Sequence, residues 1–507
     1  MQGATVNWEL LIDEAALASV LPGEYGRFAR PVRDGLVVFL NGLPDEHQSS
    51  VAREQAALDP TASISLRLAT LARSCPVLQK LGQILARDRH LAPELRRHLS
   101  ELESLTPTVS LDAIQASLAK ELGPLGPRGI ALDPPAIAEA SVAVVIPFTW
   151  NARGHRDGPP NGVFKLLKPG IEQRLDLELG LLEKVGTHLD ERCHELKIPH
   201  LDYRDAFQRV REKLACEIRL DEEQRHLTLA KDFYSGDHRI QIPTLFDEHS
   251  TPRVTAMERV TGGKITDHAL NRAEDKRRLA DLVAKALITL PIFSPKREAM
   301  FHADPHAGNL FLTDDHRLAI LDWSLVGWLG ERERVAIVQI VLGAVALDAT
   351  RIASVLEGLA DRQCLDRPAL AEIVRRSVDR IRRGQIPGLA WLIEMLDEAV
   401  RSARLRVAAD LMLFRKTLHT LEGVVAAVAA DDDRIDDVLL GEFLRHFAVE
   451  WPRRWCASPA SREFATRLSN LDLTQTLLNF PSSAVRFWTG CWLDLLKTGR
   501  ADSGVSC

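Results

Sequence analysis

The stretch from Phe301 to Ser324, FHADPHAGNLFLTDDHRLAILDWS, limits what this chain can be more than any other. Asp304 and Asn309 stand five apart in a polar loop, and Asp322 follows thirteen residues later at the end of the apolar run Leu318–Leu321. Pro305 and Gly308 give that loop a fixed turn rather than a helix. Carboxylate and carboxamide oxygens are ligands for a hard cation, which suits chemistry on phosphate, where a protein supplies placement and charge neutralisation. An ordinary solvated Asp-rich turn between two strands is the plainer reading of the same residues. It does not account for His302, Asp304, Asn309 and Asp322 together, because each type makes up only a few per cent of an average chain.

The spacing matches a protein-kinase-like phosphoryl-transfer site, in which the loop Asp orients or deprotonates the acceptor, the Asn holds one magnesium and the later Asp holds another. On this reading Asp304 is catalytic, and Asn309 and Asp322 are metal ligands. The motifs His302-Ala-Asp-Pro-His-Ala-Gly-Asn309 and Leu321-Asp-Trp-Ser-Leu-Val-Gly327 also resemble those of the UbiB/ADCK (AarF-like) family of atypical kinases, which read roughly HADPHPGN and LLDFGxVG. The resemblance implies ATP and Mg2+ as cofactors.

A length of 507 residues allows two or three structural units with substantial cores. A net charge of −6 with acids and bases interspersed offers no basic stripe, so nucleic acid is not expected as a partner. The seven cysteines are scattered without a C-x-x-C pair, which suits a reducing compartment and gives no metal site. The N-terminus carries neither a signal nor a transit pattern, and a cytoplasmic protein is expected. Val335 to Leu347, the longest uncharged apolar stretch, is too short for a bilayer, which needs about 20 residues.

Residues from about 8 to 125 read as helices. Leu78, Leu81 and Leu85, then Leu91, Leu95, Leu99 and Leu102, recur at helical spacing, and a further helix runs from a Ser110 cap through Leu111, Ile114, Leu118 and Leu122 to Gly123. Within this region Lys80-Leu-Gly-Gln83 matches the family's KxGQ signature, and Arg89 to Glu94 continues the resemblance. Lys80 and Gln83, three apart, share one helix face, while Gly82 in a helix costs about 1 kcal/mol relative to Ala and implies a close approach. Alone, Lys80 reads as a solvated surface lysine. In the family the helix packs over the mouth of the active site, which makes Lys80 a catalytic candidate.

Pro124 to Pro135 reads as the entry to a lobe. Ala136-Ile-Ala-Glu-Ala-Ser141 resembles the family's Ala-rich nucleotide loop, so Ala138, Ala140 and Ser141 are expected at the nucleotide. Gly162-Val-Phe-Lys165 resembles VAVK, and Lys165, alternating with apolar neighbours on a strand, should point from the sheet toward phosphate. The helical run from about Asp202 to Asp232 offers its partner. Cys216-Glu-Ile-Arg-Leu-Asp-Glu-Glu223 resembles the family's ExDxxxE, with Glu223 assigned to Lys165 and Glu217 placed near Lys80. Val254 to Gly263 reads as a strand leaving into a Gly turn, with Met257 and Glu258 at the inter-lobe hinge beside adenine. An edge strand and turn would show the same pattern.

The departures from the family are Arg219 where its ExD has Asp, Glu139 and Val144 in the nucleotide loop, Ala307 for Pro, and Trp323-Ser324 for Phe-Gly. Glu139 would repel phosphates if it faced them. After Asp322 the chain enters helix almost at once, without the segment on which protein kinases dock peptides.

The expected architecture is α+β: a protein-kinase-like two-lobed fold with a small antiparallel N-lobe sheet (126–260), a helical C-lobe (261–450), a helical N-terminal extension (1–125) and a helical tail (451–507). The expected function is a magnesium-dependent ATPase or small-molecule or lipid phosphotransferase, which the resemblance connects with isoprenoid quinone biosynthesis or lipid homeostasis. Two alternatives stay open: a small-molecule kinase of the aminoglycoside/choline type, which leaves the KxGQ motif unexplained, and a nucleotide-binding scaffold without turnover. A lipid or isoprenoid partner and peripheral contact with the inner face of a membrane go with the family reading. In the tail, Val485, Trp488, Trp492 and Leu495 form a stripe that fits either an interfacial helix or one docked on its own domain.

Overall fold

The computed structural model describes residues 7–21, 23–86, 91–103, 107–150, 161–199, 202–267, 272–360, 364–429 and 434–478. The predicted stripe at Val485 to Leu495 lies outside them. The chain divides into two units, Met1–Thr228 with Pro243–Val260, and Leu229–Ile242 with Thr261–Cys507. In chain order the strands are β1 (Ile130–Leu132), β2 (Ala138–Glu139), β3 (Ala143–Trp150), β4 (Asn161–Leu167), β5 (Ile240–Gln241), β6 (Val254–Glu258), β7 (Gly262–Lys264), β8 (Glu298–His302), β9 (Leu310–Thr313), β10 (Leu318–Ile320) and β11 (Val326–Gly330).

The first unit opens with helices at Ala29–Asn41, Asp45–Ala56, Ile64–Ser74, Pro76–Leu85 and Pro93–Ser100. Their apolar faces share one core with the long helix Ile171–Leu196, so residues before 100 are packed against the segment that follows β4. Ser110 and Gly123 bound a helix as the sequence indicates. Ser110 Oγ accepts from Ala113 N at 3.3 Å, and Gly123, with φ of 76° and ψ of −170°, takes an extended positive-φ conformation suited to glycine that ends the helix Leu111–Leu122. Ile114, Leu118 and Leu122 bury against the sheet in a second core. Cutting Leu118 to Ala there should cost about 2–5 kcal/mol.

That sheet is antiparallel, ordered β1-β3-β4-β6, with β2 added to β3. Phe164 and Leu166 of β4 point into the core, and Lys165 between them points to the opposite face. Phe148 and Phe164 stack at 3.9 Å between ring centres. Gly162 is required beside them, since a Cβ there would lie 2.6 Å from the Phe148 ring.

In the second unit the sheet order is β5-β10-β9-β7, antiparallel except for the short parallel pair β5–β10, and β8 pairs with β11. Helices Ala273–Ala284, Glu331–Val345, Ala349–Leu359, Arg367–Arg382, Leu389–Ser402, Ala409–Ala429 and Arg434–Arg454 make up most of the rest. The segment 455–469 is not helical. Polar bonds hold it instead, among them Arg454 to Glu450 at 2.8 Å and to Thr466 at 2.6 Å, and Asp472 to Arg462 at 3.1 Å and to Arg351 at 3.0 Å.

One expected helix is broken. The run from Asp202 to Asp232 forms Tyr203–Ala215, a 3-10 turn at Cys216–Ile218, and then Leu220–Tyr234, with Arg219 out of helical geometry at φ −91°, ψ 70°. The physical reason is in the acids. Asp221, Glu222 and Glu223 fall in the first turn of the second helix, and three acids in sequence are stabilised at a helix N-terminus by its dipole.

Candidate active-site residues

In the second unit the loop after β8 is organised by a buried, fully enclosed His302. Its Nδ1 accepts the Asp304 N–H at 3.2 Å, so the proton sits on Nε2, which donates to the carbonyls of Leu321 at 3.0 Å and Asp322 at 2.9 Å. Burial pushes the His302 pKa down, and the ring is neutral at physiological pH. One imidazole therefore ties the Asp304 loop to the backbone of Asp322. Trp323 packs edge-on to His302 at 4.8 Å and donates its indole N–H to Ile320 O at 3.1 Å, which accounts for a large ring where the family has Phe.

Asn309 ends the loop in a 3-10 turn and is buried. Its Nδ2 donates to Asp304 O at 3.1 Å, which leaves Oδ1 as the atom able to meet a cation. Leu321 N–H returns to Asn309 O at 2.8 Å, so the two expected metal ligands are tied through backbone. Asp322 has a φ of 55°, a left-handed conformation uncommon for a residue with a side chain, and its Oδ1 accepts the Ser324 N–H at 3.3 Å. The donors are hard oxygens, as magnesium requires. Among the described residues no three His, Cys, Asp or Glu side chains converge as a metal site. A cation here would complete its shell with phosphate and water oxygens, the usual arrangement for magnesium.

In the first unit Lys165 Nζ lies 2.7 and 2.8 Å from the two carboxylate oxygens of Glu223, which is buried in the first turn of Leu220–Tyr234. Lys80 Nζ lies 2.7 Å from Glu217 in the 3-10 turn. Arg219 pairs instead with Asp221 at 3.1 Å and Glu222 at 3.2 Å, so its reversed charge is satisfied locally. Around Lys80 the close approach implied by Gly82 is to Leu102 and Leu99, 3.1 and 3.2 Å from where a Cβ would stand. Gln79 and Gln83 both donate to Leu102 O, at 3.2 and 2.8 Å.

Ala138 and Glu139 form β2, and Ala140 to Val142 turn into β3. Ala138 and Ala140 are exposed, and Ser141 is buried. Met257 pairs in register with Val163, while Glu258 donates its N–H to Thr244 O at 2.8 Å and its carboxylate accepts from Thr244 Oγ1 at 2.8 Å. The outer backbone edge of β6 is thus taken up at Glu258 by the chain itself.

Two residues escaped the sequence reading. Glu178, buried in the helix Ile171–Leu196, accepts Val77 N–H at 2.9 Å at the start of the Lys80 helix and Arg174 Nε at 3.0 Å, and burial raises its pKa despite both. Lys168 bonds Glu139 at 2.7 Å. A lysine just past a strand, and an acid in a loop expected to be apolar, were the only signals for the second.

Residues 101–356, just over half of the chain, match the family described as the ABC1 atypical kinase-like domain. A protein of Xanthomonas campestris pv. campestris (strain B100) named probable protein kinase UbiB is 27% identical over 416 residues, covering 78% of this chain and 72% of that protein. One of the same name from Xylella fastidiosa (strain M23) is 26% identical over 384 residues, covering 71% and 65%. Among solved structures, a Mycobacterium tuberculosis protein in complex with erythromycin matches with a TM-score of 0.50 at 17% identity, covering 78% of this chain and 88% of that one, a likeness of fold alone. The chain has the two-lobed, kinase-like α+β fold and belongs to the UbiB/ADCK family of ABC1 atypical kinase-like proteins.

Proposed function

We propose that this chain binds magnesium-ATP and acts as an ATPase or as a phosphotransferase toward a small molecule or lipid, in support of isoprenoid quinone (ubiquinone) biosynthesis or lipid homeostasis. The observation that carries the reading is Lys165, held through Nζ by both oxygens of Glu223 within the antiparallel sheet. A lysine fixed in this way is a preset positive charge for a nucleotide phosphate. Ala138, Ala140 and Ser141 would border the phosphates, and Met257 and Glu258 the base. In the other unit Asn309 Oδ1 and the Asp322 carboxylate would hold magnesium, with Asp304 orienting or deprotonating the acceptor. Bound magnesium would neutralise charge on the phosphates.

The acceptor is proposed to be small because little more than β11 separates Asp322 from the helix Glu331–Val345, which leaves no platform for a peptide. Lys80, paired with Glu217, is proposed as a further catalytic residue. Peripheral contact with a membrane surface belongs to the same proposal. Among the described residues no helix is long and apolar enough to cross a bilayer.

Magnesium-ATP should raise the Tm of the full chain, because a ligand that binds only the native state stabilises it, by about 2.7 kcal/mol at one hundred times its Kd. Asp322→Asn should lose the magnesium-dependent part of the shift. A shift that is the same with and without magnesium, and unchanged in Asp322→Asn, overturns the reading. Phosphate release with isoprenoid and lipid acceptors set against a panel of amino sugars separates it from an aminoglycoside-type kinase.

A further inference from the structure

The Ala140–Val142 turn between β2 and β3 is gripped at both ends by one residue. Lys168, next after β4, donates its backbone N–H to Val142 O at 2.9 Å and reaches Glu139 Oε1 with Nζ at 2.7 Å. Inside the turn Ala140 N–H donates to Ala143 O at 2.8 Å. Glu139, only 6% exposed, also accepts the Thr108 N–H, Thr108 Oγ1 at 3.0 Å and Val109 N–H at 3.3 Å. Burial by itself would raise the pKa of this carboxyl, but the Lys168 and Thr108 bonds outweigh it and hold the group below the usual carboxylate range, so it is ionised at neutral pH.

These contacts change the meaning of an acid in a loop that borders phosphates. Its oxygens are directed at an ammonium and three donors on two other segments, and in that position they order the loop. We propose that Glu139 and Lys168 form a clamp that positions the Ala140–Val142 turn for nucleotide phosphates, with Glu139 a positioning residue. The proposal rests on the magnesium-ATP reading of this loop. The pair is largely shielded, with side-chain exposures of 19% for Lys168 and 5% for Glu139, so losing one partner strands the other where water does not replace it. The turn is short, and moving either end moves all of it.

The test is nucleotide binding by full-length wild type, Glu139→Gln, Lys168→Gln, Lys168→Arg and the Glu139→Gln/Lys168→Gln double variant, titrated with magnesium-ATP and with adenosine. Circular dichroism and Tm are followed in parallel. Each single Gln variant should weaken magnesium-ATP binding roughly tenfold, in line with the sensitivity of phosphate placement to shifts of an ångström or less. The double variant should be no weaker than the singles, because the two act as one device. Lys168→Arg should bind as wild type does, and adenosine, which lacks phosphates, should bind all five alike.

Tighter or unchanged magnesium-ATP binding by folded Glu139→Gln overturns the clamp while leaving the nucleotide reading intact. A lowered Tm with unchanged ATP affinity does the same, since a merely structural pair would behave in that way. Absence of magnesium-ATP binding by wild type overturns the proposed function and the clamp with it.

Discussion

Asp304, Asn309 and Asp322 stand within one stretch of chain and are held by backbone bonds and a neutral imidazole, whereas Lys165, Glu223, Lys80 and Glu217 come from distant elements and are held by charge. The first arrangement sets three oxygen-bearing side chains by contacts made inside one segment of chain. The second joins each lysine to an acid far from it in sequence, 58 residues away for Lys165 and Glu223, so it depends on the packing of whole helices. Local geometry should therefore tolerate damage to distant packing, and the long-range set should not.

The largest expected effect falls on the local set. Asp304→Asn should lower phosphate release about 10²–10⁴-fold, the usual contribution of a positioned acid–base group, with the magnesium-ATP thermal shift retained. Equal loss of binding and turnover would mean that Asp304 shapes the loop and takes no part in the chemistry. Next comes the long-range pair. Glu223→Gln should destabilise the chain by on the order of 3 kcal/mol, because it leaves the Lys165 ammonium without its carboxylate, and Lys165→Met/Glu223→Gln should cost less than the sum of the singles. Additive losses in denaturant unfolding would show that the pair is not coupled.

A smaller, pH-dependent effect should appear at Glu178. Its raised pKa means that the folded chain keeps a proton where the unfolded chain has released it. Stability from this group is present below the ordinary glutamate value of about 4.3 and falls as pH rises through the raised value, with a slope of about 1.4 kcal/mol per pH unit at most. Glu178→Gln should flatten that part of the stability profile. An identical slope in the variant would remove Glu178 as its source. The smallest effect is expected at Arg219→Ala, where an exposed pair with Asp221 and Glu222 is lost. Neither Tm nor the ATP shift should move, and a change in either would show that this departure from the family matters to the long-range set.

The His302–Asp322 stretch could be read directly because its constraints lie within it. Pro305 and Gly308 specify the turn, β9 and β10 pair as neighbours along the chain, and the longest of the bonds, His302 to the Asp322 carbonyl, spans 20 residues. The Ser110–Gly123 helix was legible for the same reason, with cap, stripe and stop all local. The break at Arg219 was not, since the acids after it favour a helix start only once the preceding helix has ended.

By itself the sequence determined the helical front of the chain, the strand that carries Lys165, the turn from Asp304 to Asn309 and the family, all of which rest on short-range patterns of residue type and spacing. Tertiary structure alone decided what the departures from the family meet, Arg219 its own neighbours Asp221 and Glu222, and Glu139 a lysine beyond β4. Glu217, and not a residue at position 219, faces Lys80, and Glu139 turns inward to Lys168 and Thr108. Charge is a long-range and non-directional property in a sequence. Its partner is chosen only when packing brings two elements together and removes water from between them.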